Sequence, residues 1–243
     1  MCGIVGATAR REVSDILLEG LRRLEYRGYD SAGIALIDNE QHLMLHKHTG
    51  KVEALEKHQR RDPIHGCVGI AHTRWATHGE PSKVNAHPHT AGDRLALVHN
   101  GIIENHEALR AELDAVGIRA QSSTDSELVV LMLLQEVEAG ADMKQAMRRV
   151  LPRLEGAFAL AIVDRLEPET LWAARRGSPL VVGVGIGENF LASDQLALRQ
   201  VTDRFIYLEE GDLVALRADA LQIWNAEDEP CEREQVSLSD AVE

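Results

Sequence analysis

The amino-acid sequence predicts an α+β protein in which two antiparallel sheets stack face to face with helices outside. Three observations carry this. Helical patterns are grouped in the middle of the chain, between about 105 and 151. Five or six short strands then follow in quick succession between Ala157 and Leu216. Near the N-terminus, apolar runs at 33–37 and 43–47 flank Asp38-Asn39-Glu40, the pattern of a hairpin and not of a parallel crossover.

Taken in order, Gly3-Ile4-Val5-Gly6 continues an apolar run that reads as a buried strand fixing the N-terminus. Val13, Ile16, Leu17, Leu21 and Leu24 share one face at helical spacing, so 12–24 reads as an amphipathic helix packed on a flat surface. Val68 to Ala71 is a short strand that runs into a polar, loop-like stretch from Thr73 to Thr90. Leu95 to Val98 and Ile102-Ile103 bracket Asn100-Gly101, the dipeptide of a tight turn between two buried strands. Helices are expected at 105–116 and 126–139, ended by Gly117 and Gly140, and at 142–151 before Pro152. Ser123-Thr124-Asp125 precedes the second of these as a cap. The last stretch, Ala226 to Glu243, holds seven acids against one base and reads as a solvated tail or linker.

Composition narrows the function. With 243 residues, 44% hydrophobic and 27% charged, the chain has the balance of an ordinary globular protein. A net charge of −13 argues against a nucleic-acid partner, because phosphate binding needs clustered Lys and Arg. No apolar run approaches the length of a membrane span and no export signal opens the chain, so a cytoplasmic protein without a membrane partner is expected. Cys2, Cys67 and Cys231 are an odd number at irregular spacing and read as reduced thiols.

Cys2 stands directly behind Met1, where removal of the methionine would place a thiol and an α-amine on one residue. With pKa values of about 8.5 and about 7.7–8.0, the amine can accept the thiol proton near neutral pH, so no histidine partner is required. The plainer reading is an incidental second residue. From Ala71 to His89 an arginine, a tryptophan, hydroxyls and four histidines are concentrated in a segment read as a ligand-enclosing loop or as an ordinary surface loop. Arg74 there is suited to clamp a carboxylate. Asn100 and the Gly101 N–H form either an oxyanion hole or a plain turn, and Asp125 either caps its helix or holds an ammonium group. Arg27 either stabilises a nearby thiolate or faces solvent. His72, His78, His87, His89, His99 and His106 match no helical metal-binding spacing, so no metal and no cofactor are expected. Gly183-x-Gly185-x-Gly187 precedes a strand, not a helix, which argues against a nucleotide loop.

Cys2-Gly3-Ile4-Val5-Gly6, Leu21 to Gly33, His72 to His89, His99 to Asn105, Gly177-Ser178-Pro179-Leu180 and Ala192-Ser193-Asp194 together resemble the glutaminase domain of the isomerising glutamine–fructose-6-phosphate aminotransferases, which make glucosamine 6-phosphate. The resemblance covers nearly the whole chain. It implies an N-terminal-nucleophile (Ntn) hydrolase fold, a four-layer αββα sandwich, with 1–225 as the glutaminase domain and 226–243 as a tail or the start of a linker to a sugar-isomerase domain. It further implies Cys2 as nucleophile, Asn100 and Gly101 as oxyanion hole, and Arg74, Trp75, Thr77, His78 and Asp125 as glutamine-binding residues, with Arg27 and His87 in support. Trp75 is associated in that family with ammonia passage. Alternatives are the glutaminase of an amidophosphoribosyltransferase-like enzyme, a glutamine-binding regulator without catalysis, or a metal-dependent amidase using the histidines. If Met1 is retained, the proposed base is an amide and catalysis is lost.

Overall fold

A computed structural model describes residues 2–76 and 79–238. The first of its two sheets has eight strands in the order β15-β11-β9-β10-β1-β4-β2-β3. These are β1 (Gly3–Ala9), β2 (Ser31–Ile37), β3 (Leu43–Thr49), β4 (Val68–Arg74), β9 (Val181–Val184), β10 (Glu188–Ala192), β11 (Arg204–Tyr207) and β15 (Gln235–Ser237). The second has seven, in the order β14-β13-β12-β8-β7-β6-β5. They are β5 (His89–Ala91), β6 (Leu95–Ile103), β7 (Gly156–Asp164), β8 (Leu171–Arg176), β12 (Leu213–Leu216), β13 (Leu221–Trp224) and β14 (Pro230–Cys231). Neighbouring strands in both sheets pair antiparallel.

The side-chain alternation of each central strand explains the layers. On β2, Ala32, Ile34 and Leu36 face one way and pack with Leu17, Leu21 and Leu24 of α1 (Ser14–Leu24), while Ala35 and Ile37 face the other sheet. On β6 and β7, Leu95, Leu97, Leu160 and Ile162 meet the helices α3 (His106–Ala115), α4 (Ser126–Glu138) and α5 (Met143–Val150). The intervening Ala96, Val98, Ala159, Ala161 and Val163 meet Ile4 and Ile70 of the first sheet. Both faces of each strand are thus buried, which is why these segments read as unbroken apolar runs and not as an alternation. Small alanines on the inner face let the two sheets approach closely. Among the described residues, no helix is long and apolar enough to cross a membrane.

The structure departs from the sequence reading in four places. Asn100-Gly101 is not a turn: β6 runs straight through it, paired with β7 from Leu95↔Asp164 to Ile103↔Gly156. The Gly101 backbone has φ +121, and an added Cβ would lie 2.1 Å from the Ala157 carbonyl oxygen, so glycine serves a close strand-to-strand approach. A helix α2 (Val52–Arg61) lies between β3 and β4 where none was expected. The stretch expected to be a solvated tail contributes β14, paired to β13, and β15, paired to β11. Both are sheet-edge strands, where polar and charged side chains are tolerated because one side of the ladder faces water. The expected loop from Thr73 is also shorter, since β4 continues to Arg74 and His89–Ala91 forms β5.

Candidate functional site

The first sheet delivers Cys2 from the end of its interior strand β1, between β10 and β4. The register Gly3↔Thr73 places Cys2 beside the end of β4, and Ser31↔Arg74 brings the start of β2 to the same point. Two hydrogen bonds tie β1 to the β10 side: the Ile4 N–H donates to the Ser193 hydroxyl at 3.0 Å, and the Ser193 N–H to the Ile4 carbonyl at 3.0 Å. The half-buried Cys2 thiol sits against the Trp75 peptide, accepting its N–H at 3.2 Å and donating to its carbonyl at 3.4 Å. Burial pushes the thiol pKa up, opposed by the Trp75 N–H and by the Arg74 charge, with Asp30 adding to the rise. At neutral pH the sulfur therefore keeps its proton, and a base is needed to make it a nucleophile.

The second sheet delivers Asn100. Its Nδ2 donates to the Cys2 carbonyl at 3.1 Å, and its Oδ1 accepts from His72 Nε2 at 2.9 Å. The His72 tautomer follows from a second contact. Nε2 also lies 3.0 Å from the His99 carbonyl oxygen, which can only accept, so Nε2 carries the proton. That proton turns Oδ1 of Asn100 toward His72 and leaves the amide N–H₂ directed at Cys2. Burial holds the His72 pKa down to about 3, so the ring stays neutral in this role.

Arg74 is buried, with Nη1 and Nη2 donating to the carbonyls of Glu80 at 3.4 Å and Gly79 at 3.2 Å, and Nη1 lying 3.9 Å from Asp30 Oδ1. Asn85 holds the same segment, donating to the Glu80 carbonyl at 2.8 Å and accepting from the Ser123 N–H at 3.0 Å. Trp75 is 53% exposed, and its ring lies over Gly28, where an added Cβ would sit 2.3 Å from a ring carbon. Asp125 does not cap α4 with its side chain; Oδ2 accepts the Ile103 N–H at 2.7 Å, and Oδ1 accepts from the Ser126 hydroxyl at 3.3 Å. The carboxylate is thereby fixed to the end of the strand that carries Asn100 and Gly101. Arg27 pairs with Asp194 and reaches the Tyr26 hydroxyl at 3.2 Å. Thr77 and His78 lie outside the described residues.

His87 is buried in a cluster of rings, its centroid 4.1 Å from that of His72, tilted, and 4.7 Å from that of His89, edge-on. Burial, reinforced by the neighbouring imidazoles, holds its pKa well below the ordinary value. The histidine-rich stretch is thus largely interior, contrary to its reading as a loop of solvated or ligand-facing rings. Sequence reasoning assigned no role to three supporting groups. These are Ser193; Asp194; and Asp30, which accepts the Ala76 N–H and the Ser31 hydroxyl, the latter at 2.9 Å. Their only signal was membership of motif-like runs, because what they touch is remote in sequence.

A model of the glutamine amidotransferase domain matches residues 72–200. The chain belongs to that family. Among curated relatives, the isomerising glutamine–fructose-6-phosphate aminotransferase of Pseudomonas syringae pv. tomato is 55% identical over all 243 residues, which make up 40% of that protein. The enzyme of the same name from Escherichia coli K12 is 55% identical over 225 residues, 93% of this chain and 37% of the relative. The chain thus spans about two-fifths of the length of these relatives. A solved structure described as the allosteric regulatory enzyme of purine biosynthesis aligns over 93% of this chain and 49% of its own, with TM-score 0.80 and 26% identity. The glutamine phosphoribosylpyrophosphate amidotransferase of B. subtilis aligns over 93% of this chain and 49% of its own, at TM-score 0.81 and 24% identity, a likeness of fold. The αββα layering is that of the N-terminal-nucleophile amidotransferases, as the resemblance implied.

Proposed function

We propose that this glutamine amidotransferase domain hydrolyses glutamine to glutamate and ammonia through a thioester on Cys2. With Met1 removed, the Cys2 α-amine takes the thiol proton and the sulfur attacks the side-chain amide carbon. Asn100 Nδ2 and the Gly101 N–H stabilise the oxyanion, an effect of about 2.7–4 kcal/mol per donor. The amine returns the proton to the leaving nitrogen, ammonia departs, and water cleaves the thioester. Arg74 binds the α-carboxylate and Asp125 the α-ammonium, with Thr77 and His78 completing the pocket. Trp75 governs where ammonia goes, Arg27 holds the Asp194 turn beside β1, and His87 backs His72. In the longer protein the ammonia is used to aminate fructose 6-phosphate on a C-terminal sugar-isomerase domain, the activity for which the relatives are named.

The observation that supports the reading is that Cys2 and Asn100 come together from different sheets, the Asn100 amide donating to the Cys2 backbone carbonyl and being oriented by His72. The glucosamine branch is favoured over the amidophosphoribosyltransferase alternative by the 55% identity to its members over the whole chain, where the phosphoribosylpyrophosphate amidotransferase, at 24%, is a likeness of fold. The test uses chain shown by intact mass to begin at Cys2. Glutamate release abolished by Cys2→Ala and unaffected by chelator is expected. Stoichiometric glutamine binding with no glutamate formed would instead mark a regulator.

A further inference from the structure

At the β3 edge of the first sheet lies a second histidine group, made of residues not assigned to glutamine. The two-residue period of β3 puts Met44, His46 and His48 on one face, opposite Leu36, Ile34 and Ala32 of β2, and α2 packs against that face. On α2 the four-residue spacing puts His58 and Asp62 on one side, and Asp62 ends the helix, donating its N–H to the His58 carbonyl at 2.9 Å. One nitrogen from each of His46 and His58 and one carboxylate oxygen of Asp62 all lie within 4.8 Å of one another. The rings of His46 and His58 stack at 4.0 Å, and His48 stands edge-on to His58 at 5.4 Å.

Three features point to a cation. His46 Nε2 lies 2.7 Å from the Asp62 backbone carbonyl, so Nε2 is the protonated nitrogen and Nδ1 presents a lone pair. A ring N–H held by a carbonyl is the usual way a metal-binding imidazole is oriented. His58 Nδ1 is buried and finds no partner among the described residues. The carbonyl end of α2 carries the negative pole of the helix dipole, which favours a positive charge there.

We infer that His46, His58 and Asp62 form a binding site for a divalent transition-metal ion of the zinc class, closing the end of α2 onto the edge of the first sheet. Two imidazoles and one carboxylate suit such an ion, with water completing a tetrahedron and a small rotation of the stacked rings directing both nitrogens inward. The site departs from the metal-free expectation drawn from the sequence, which weighed other histidines.

The test titrates the 243-residue chain with Zn²⁺, and in parallel with Co²⁺, in a Cys2→Ala background so that the Cys2 thiol cannot compete. One equivalent bound, a thermal midpoint that rises with Zn²⁺ concentration, and a Co²⁺ d–d spectrum free of thiolate charge-transfer absorption are expected. His58→Ala and Asp62→Asn alter positions at the surface or half-buried, and each should weaken binding about tenfold or more. His46→Ala removes a buried ring, so its result counts only where its metal-free melt matches the parent. Absence of stoichiometric binding, or affinity unchanged in both His58→Ala and Asp62→Asn, would overturn the inference.

Discussion

The molecule contains two groups of histidines, and they differ in what surrounds them. His72, His87, His89 and His99 are each no more than 5% exposed and lie among the strands behind Cys2 and Asn100. His46, His48 and His58 sit at the rim, with one ring buried and two half-buried. In the interior group each hydrogen bond goes to a fixed protein atom: His72 to Asn100 and the His99 carbonyl, His99 Nδ1 to the Ser126 hydroxyl at 2.7 Å, and His89 Nε2 to the Thr124 hydroxyl at 2.9 Å. His72, His89 and His99 are struts that hold amide and hydroxyl groups in one orientation, while His87 meets His72 and His89 through ring contacts, neither of its nitrogens having a hydrogen-bond partner among the described residues. The rim group is tied to the protein through one nitrogen of His46 and keeps one nitrogen of each of His46 and His58 within 4.8 Å of the other and of Asp62. The same residue type therefore fixes amide and hydroxyl groups where it is enclosed, and at the rim it stands beside a carboxylate within ligand distance.

The largest way to break this contrast is acid. A histidine whose folded pKa lies below its unfolded value binds fewer protons folded than unfolded, so stability falls as pH drops through the unfolded pKa and levels off only below the folded one. For His72, between an ordinary value of 6.5 and about 3, the full loss is about 5 kcal/mol, with His87 and His89 shifted in the same direction. Urea unfolding at pH 7, 6 and 5 should show the decline beginning below pH 6.5, flattened strongly in His72→Phe and less in His58→Ala, whose ring is shifted in the same direction. Equal slopes in all three proteins would remove the distinction between the groups.

That contrast also marks where the sequence was readable. α1 and the helices after Asn105 were legible because their apolar residues recur at the helical period, and β1 and the β2–β3 hairpin because short apolar runs are bounded by polar turn residues. α2 was not, since its buried apolar residues are only Val52 and Leu55 among charged and polar ones. Asn100-Gly101 was misread because the dipeptide is the usual hairpin signal, and nothing local distinguishes a glycine needed for a turn from one needed beneath the Ala157 carbonyl. Cys2 was recognised from its position and its motif. The contacts around it were hidden, because Ser193 holds the neighbouring Ile4 across 189 residues and Asn100 reaches the Cys2 carbonyl from the other sheet, 98 residues away.

A smaller effect probes how tightly the interior cluster is held. An added Cβ at Gly33 would lie 1.9 Å from the His87 carbonyl oxygen, a backbone atom that can move only with the segment before Pro88. Gly33→Ala should cost about 1–3 kcal/mol in urea unfolding, the usual range for overpacking. It should also lower glutamine turnover through displacement of His87 from His72. Next in size is His72→Phe, which keeps the packing volume but removes the Nε2–H bond to Asn100. The Asn100 amide is then free to turn, and kcat for glutamine hydrolysis should fall about tenfold, less than the loss of an oxyanion donor outright. KM should change little, because the proposed clamps Arg74 and Asp125 are untouched; a change confined to KM would argue against orientation of the amide as the role of His72.

The smallest expected effect concerns the rim. His58 is half-buried, its Nδ1 has no protein partner among the described residues, and its ring leans on His46. Removing it without metal deletes one stacking contact and relieves a buried unpaired nitrogen, two terms of opposite sign. His58→Ala should therefore leave metal-free stability within about 0.5 kcal/mol of the parent and glutamine hydrolysis unchanged. With Zn²⁺ present the two proteins should separate, the parent gaining a stabilisation that grows with the logarithm of metal concentration and the variant gaining little. A His58→Ala protein already destabilised by several kcal/mol without metal would show that the rim histidines, like the interior ones, are packing struts, and the contrast between the two groups would collapse.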